Sequence, residues 1–453
     1  MFCVIVLSVR IVLKSEYQCK KYIDEINKII QEYIRLFDSA CNTIKDIQQQ
    51  EILEAILDHY ITQMTNLTKV LNSLKSWRNF EYMDILSEMC RNGMQPNIDN
   101  FLSLLSSRIN EIEEKPIEEF NFYIPVRVDL ELEDTEESRL KKAAENAFGI
   151  EIVDSLPSNI LEAYKGRKYI ELFSERLILK VSKRGRDYIF PFENSVKTLI
   201  KAFIGAIGLS SLLFSFIQQV DFSKVDTSHW DYSLRRNPIE EALIITNKKS
   251  EVIFPPERFI QQCDAWIDHD SISLIGKDIW TIHNRPHGNF ETLMDILEKI
   301  SQLSEKIRKL LFYYLDIYFE AIVERQLEFS FLKFWIITEV ILKQGGHRTD
   351  ENIITLLTKL TRDDKHLAKM IPILYAKRNE LVHEFRKGYI TQLDRNYAKI
   401  IAETLILLVL DPPVEVHNSN ELRILIDNLA YSNNELQKRV EILSGILKAK
   451  SDN

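Results

Sequence analysis

The residues of this chain best placed to do chemistry stand together in Lys377-Arg378-Asn379-Glu380-Leu381-Val382-His383-Glu384-Phe385. A guanidinium is the bidentate partner of phosphate, and an imidazole moves protons near neutral pH. The four residues between Arg378 and His383 suit one helix: Asn379 and His383 lie a turn apart on a shared face, with Arg378 beside them. Such a set suits RNA phosphodiester cleavage without a metal. A base takes the 2′-OH proton, the oxygen attacks the adjacent phosphorus, and a cation steadies the charge that develops. The same spacing also arises on an ordinary solvated helix face. About one such match is expected by chance in a chain with this many arginines and nine histidines.

Other chemistries find no support in the sequence. It has no Gly-rich phosphate loop, no Gly-x-Ser-x-Gly elbow and no His-Glu-x-x-His. Asp268-His269-Asp270 and His283/His287 are the only crowded metal-type residues, and Pro286 breaks any helix that would align the two histidines, so no metal site is expected. The five cysteines are scattered with no Cys-x-x-Cys pair, which suits a reducing, cytoplasmic setting and excludes a disulfide scaffold.

The elements that must position the motif are helical. Only 12 Gly and 12 Pro punctuate 453 residues, which favours long helices over tight-turned β architecture. The predicted class is α+β, mainly α, in three parts. Residues 1–110 form a helical region, with Tyr22, Ile26, Ile29, Ile30 and Tyr33 at helical steps. Residues 111–289 form a small, mostly antiparallel α/β region of unknown role. Its hairpins are expected at Leu177–Val181/Tyr188–Phe192, Leu243–Ile245/Val252–Phe254 and Ile272–Ile275/Ile279–Ile282. Residues 290–453 form an antiparallel helical bundle, with helices expected at Phe290–Arg325, Glu328–Gln344, Asp350–Leu360, Asp364–Phe385, Ile390–Leu410 and Asn420–Leu447.

The apolar stretch Leu199–Ile217 has the length of a membrane span, but no second span or basic flank accompanies it. A buried core helix is the expectation, and no membrane partner. An oligomeric scaffold with this helix at a membrane is the rival.

The formal net charge of −9 excludes a uniformly basic nucleic-acid binder, yet it is unevenly spread. Residues 111–137 hold eleven carboxylates against Lys115 and Arg127. In that segment Val126, Val128, Leu130 and Leu132 alternate with charged residues, the period of a half-buried strand. Such an acidic strand could cover a polyanion site as an internal RNA mimic. Residues 341–400 hold twelve Lys and Arg against seven Asp and Glu, a local excess that a polyanion needs. Lys377, Arg386 and Lys387 are the expected RNA contacts, and Tyr375, Phe385, Tyr389 and Tyr397 could stack on bases.

The last 160 or so residues resemble a HEPN domain of the Apea-like branch. The similarity rests on Phe331-Leu332-Lys333-Phe334-Trp335-Ile336-Ile337-Thr338-Glu339, the Gly345-Gly346 exit, the Arg378–His383 motif and the apolar helix after it. The resemblance implies a helical bundle that dimerises and brings two Arg-x4–6-His motifs to one cleft. Many such domains are metal-independent endoribonucleases of toxin–antitoxin, anti-phage and RNA-processing systems. Others are inactive modules that bind RNA, a nucleotide or a protein. Carried over by position, Arg378 steadies the scissile phosphate, His383 is general acid or base, and Asn379 orients the histidine or substrate. Glu339 stands where related domains often keep a supporting acid, and Trp335 reads as core. The resemblance implies no cofactor. RNA and a second copy of the chain are the expected partners, with a regulatory partner or trigger at residues 111–289.

Overall fold

In the computed structural model, the described residues are 11, 13–14, 20–37, 47–76, 82–166, 170–174, 176–217, 238–239, 242–254, 281–284, 288–324, 326–343, 350–361, 365–384, 390–429 and 431–451. The chain divides into two compact units. One holds residues 1–121, 182–195 and 245–251, the other residues 122–181, 196–244 and 252–453.

The first unit opens with helices α1 (Lys20–Arg35), α2 (Ile47–Met64), α3 (Leu67–Leu74), α4 (Tyr82–Arg91) and α5 (Ile98–Glu114). The periodic apolar positions make its core: Ile26, Ile30 and Tyr33 share it with Leu57, Ile61, Ile85, Met89, Phe101 and Leu105. Burying each such side chain contributes about 1.5–3 kcal/mol. The expected break after α4 is real. Gly93 takes φ 60°, which suits a residue without Cβ, and Asn97 caps α5 by accepting from the Asn100 N–H at 3.0 Å. Cys90 on α4 is disulfide-bonded, which the scattered cysteines did not suggest.

Among the described residues seven strands follow: β1 (Glu118–Val126), β2 (Asp129–Glu131), β3 (Ile150–Val153), β4 (Leu177–Gly185), β5 (Ile244–Asn247), β6 (Val252–Phe254) and β7 (Thr281–His283). Five form a small antiparallel sheet in the order β3-β4-β1-β5-β6, and β2 pairs with β7. The expected alternation survives as burial, with Val128 inside and Asp129, Glu131 and Glu133 exposed, although the ladder there is only three residues long. Strand β1 was hidden in the sequence because Phe120 to Val126 is buried continuously, without alternation.

The first expected hairpin is corrected. Leu177 begins a single strand that pairs antiparallel with β3, Ile150 facing Val181. Its supposed partner is helical, because Asp187 accepts from the Phe190 N–H at 2.8 Å and Pro191 has no N–H for a ladder. Thr281–His283 runs parallel to β2, Leu130 facing Ile282; the rest of the third expected hairpin, residues 272–275 and 279–280, lies outside the described residues. The middle hairpin stands as β5 and β6, closed by the Asn247 N–H donating to the Glu251 carbonyl at 3.0 Å.

The second unit is mainly helical: α6 (Asp134–Phe148), α7 (Ser158–Ala163), α8 (Ile170–Ser174), then, after the short α9 (Ile189–Pro191) of the other unit, α10 (Lys197–Ile217). The rest is α11 (Phe290–Gln302), α12 (Glu305–Val323), α13 (Leu327–Lys343), α14 (Asp350–Leu360), α15 (Lys365–Glu384), α16 (Gln392–Leu410), α17 (Ser419–Leu429) and α18 (Asn433–Ser451). The stretch expected as one helix from Phe290 splits at Ser304, whose hydroxyl caps α12 by accepting from the Ile307 N–H. The last stretch likewise splits before Ser432, which accepts from the Glu435 N–H.

Helix α10 is a core helix. Leu199, Ile200, Phe203, Ile204, Ile207 and Leu209 are buried, and it packs chiefly on α12 and α11. Of its two lysines, Lys201 is held by Glu320 and lies 3.6 Å from Asp316. A Cβ at Gly205 would stand 2.5 Å from the Leu315 carbonyl oxygen, so the two helices touch backbone to backbone there. No helix among the described residues is long and apolar enough to cross a membrane.

Candidate active site

Arg378, Asn379 and His383 all come from α15, and Glu339 comes from α13, which packs against it. The Arg378 Nη2 lies 2.9 Å from Glu339 Oε1, and its Nη1 donates to Asn379 Oδ1 at 2.9 Å. Glu339 is 12% exposed and Arg378 21%, so the pair stands at the rim of the bundle with one edge towards water. The carboxylate is further held by Trp335 Nε1, donating to Oε1 at 2.9 Å, and by Lys343 Nζ, donating to Oε2 at 3.1 Å. Glu339 therefore lies against the motif arginine.

The Asn379 carbonyl oxygen serves the arginine. His383 is exposed. Five residues of helix turn through about 500°, so Arg378 and His383 leave α15 roughly 140° apart and about 7.5 Å along its axis. One copy of the chain thus presents a fixed guanidinium and an exposed imidazole in different directions.

The surrounding cations are less available than their number suggests. Lys377 donates to Asp394 Oδ2 at 2.6 Å and is 17% exposed, so it is committed to an ion pair. Asp394 is also the third residue of the α16 capping box with Thr391. Burial works against its ionisation, but the bonds from Lys377 and Thr391 outweigh it and hold the carboxyl below its ordinary value. Arg395 and Lys399 lie inside the bundle. Lys365 and Lys369 are exposed on α15. Arg386, Lys387, Phe385 and Tyr389 lie outside the described residues, as do His269, His287 and Gly345-Gly346. Tyr375 is tilted against Trp335, with ring centroids 6.2 Å apart.

A second charged cluster was not anticipated. Arg395, Lys399 and Glu403 recur every four residues along α16, on a stripe turned into the core. Arg395 donates to Ser330 Oγ at 3.1 Å and lies over the Phe334 ring at 5.1 Å. Lys399 lies 2.9 Å from Glu403, which also accepts from the Tyr318 hydroxyl. Burial, reinforced by Glu403, pushes the Tyr318 phenol well up, and burial above all pulls the Lys399 ammonium down. The polar stripe inside an otherwise apolar helix was the available sequence signal.

Comparison with protein-family models, with curated proteins and with solved structures finds no match.

Proposed function

We propose that the chain is a HEPN-type endoribonuclease that cleaves RNA without a metal and works as a dimer. The observation that supports this most is the Arg378 guanidinium, gripped by Glu339 and Asn379 at the bundle rim on the same helix as an exposed His383. An arginine fixed before substrate arrives loses little freedom when it meets a phosphate. His383 takes the 2′-OH proton. The 2′-oxygen bonds to phosphorus, the bond to the 5′-oxygen breaks, and that oxygen leaves with a proton drawn from water. Arg378 steadies the charge on the phosphoryl oxygens. Because the two side chains diverge on one helix, the histidine that serves a given arginine comes from the second copy.

The test is cleavage of single-stranded RNA by purified protein in excess chelator. Arg378→Ala and His383→Ala are each expected to lower the rate by roughly a thousandfold or more, and the wild type is expected to sediment as a dimer. Activity that requires magnesium, or that survives both substitutions, would sink the reading. RNA binding without turnover would turn it to the alternative, an inactive HEPN module.

A further inference from the structure

We infer that Trp335 is a positioning residue of this nuclease site, acting on Arg378 through Glu339; the inference rests on the ribonuclease reading. Trp335 is 1% exposed, and its ring belongs to the core. An indole N–H can only donate, and a buried one has to find an acceptor. The acceptor here is Glu339 Oε1, one turn further along α13 at 2.9 Å, the same oxygen that receives Arg378 Nη2. Lys343 holds the other oxygen from the turn beyond. The carboxylate is therefore pinned at both ends by its own helix and offers one defined lone-pair direction to the arginine.

The indole is in turn unable to swing. It stacks on Phe331 at 6.3 Å and meets Tyr375 of α15, three residues before Arg378, at 6.2 Å. A rigid aromatic with two χ angles thus fixes a flexible carboxylate, which fixes the guanidinium. Without the N–H, the carboxylate is free to rotate towards Lys343 and water, and Arg378 follows it away from the position it needs in the transition state. The loss falls on turnover more than on substrate affinity, because the exposed cations that draw RNA in remain.

The experiment is a double-mutant cycle in the full-length protein, with Trp335→Phe, Glu339→Ala and both together, assayed for RNA cleavage in chelator. Trp335→Phe keeps an aromatic ring and removes the donor. It is expected to lower kcat by roughly tenfold to a hundredfold with KM little changed. In the Glu339→Ala background it is expected to lower kcat no further, because the residue it acts through is gone. Wild-type rates for Trp335→Phe, or additive losses, would overturn the inference. Should Trp335→Phe fail to fold, Glu339→Gln supplies a second readout. The Trp335 indole proton resonance is expected to shift as a charged acceptor becomes neutral, and an unmoved resonance would equally overturn the inference. A wild type that cleaves no RNA would overturn the ribonuclease reading itself, which these two outcomes do not touch.

Discussion

Two charged clusters occupy neighbouring helices of one bundle and are built from the same residue types. At the rim, Arg378 and Lys343 converge on Glu339, with an indole completing the set. In the core, Lys399 pairs with Glu403, a tyrosine hydroxyl completes that set, and Arg395 lies one turn away. The rim cations keep an edge in water and can exchange a carboxylate contact for a phosphate. The core cations are sealed and can meet no solute. What separates a binding group from a structural one is therefore access, and neither composition nor local charge excess reports it. Of the twelve basic residues in 341–400, Arg395 and Lys399 serve the inside of the protein.

The contrast can be broken most severely from the core side. Glu403→Ala leaves Lys399 and the Tyr318 hydroxyl without their shared acceptor, and is expected to cost about 3–5 kcal/mol in urea unfolding. Replacing Tyr318 by Phe, Lys399 by Met and Glu403 by Leu together is expected to be neutral, or stabilising by up to about 4 kcal/mol. Glu339→Ala at the rim is expected to cost about 1–3 kcal/mol, because water can take over the arginine it abandons and only the buried Trp335 N–H loses its acceptor. Equal losses for the two single variants would erase the distinction.

A subtler change concerns pH. Asp394 is held below its ordinary value in the folded state, so the native protein binds its proton less readily than the unfolded chain. Its contribution is fully present above the unfolded carboxylate value of about 4 and is lost as pH falls through the lower folded value. Asp394→Asn is expected to flatten the acid limb of the stability curve while leaving neutral-pH folding cooperative. An unchanged acid limb would mean that the Lys377 pair has no energetic weight.

The smallest expected effect lies at the surface. Lys365→Ala and Lys369→Ala are each expected to weaken RNA binding uniformly across sequences and to reduce the salt dependence of binding by about one unit of slope. Lys399→Met is expected to leave that slope alone. A change there would show that the buried lysine reaches the RNA.

These differences also explain what could be read from the sequence. Helix α14 could be read residue for residue, since Asp350 opens it and its apolar positions keep the helical period. The break at Ser304 was hidden because Ile300, Leu303 and Ile307 continue that period across it. Arg378, Asn379 and His383 were legible because their types and spacing are themselves the signal. Lys377 was not, because its partner Asp394 stands seventeen residues away on the next helix. Trp335 read as core and is core; that its N–H faces a carboxylate depends on a side-chain orientation no residue pattern encodes.

The backbone contact at Gly205 has a consequence for ancestry. The Leu315 carbonyl leaves no room for a single methyl group, and the approach involves main chain on both sides, so compensating side-chain changes cannot relieve it. Surface sequence can drift freely while this position cannot. A distant relative that keeps the bundle must show glycine where α10 crosses α12, or else have moved a whole helix, and that makes a glycine in an apolar helix a better mark of shared descent than the charged motif of α15.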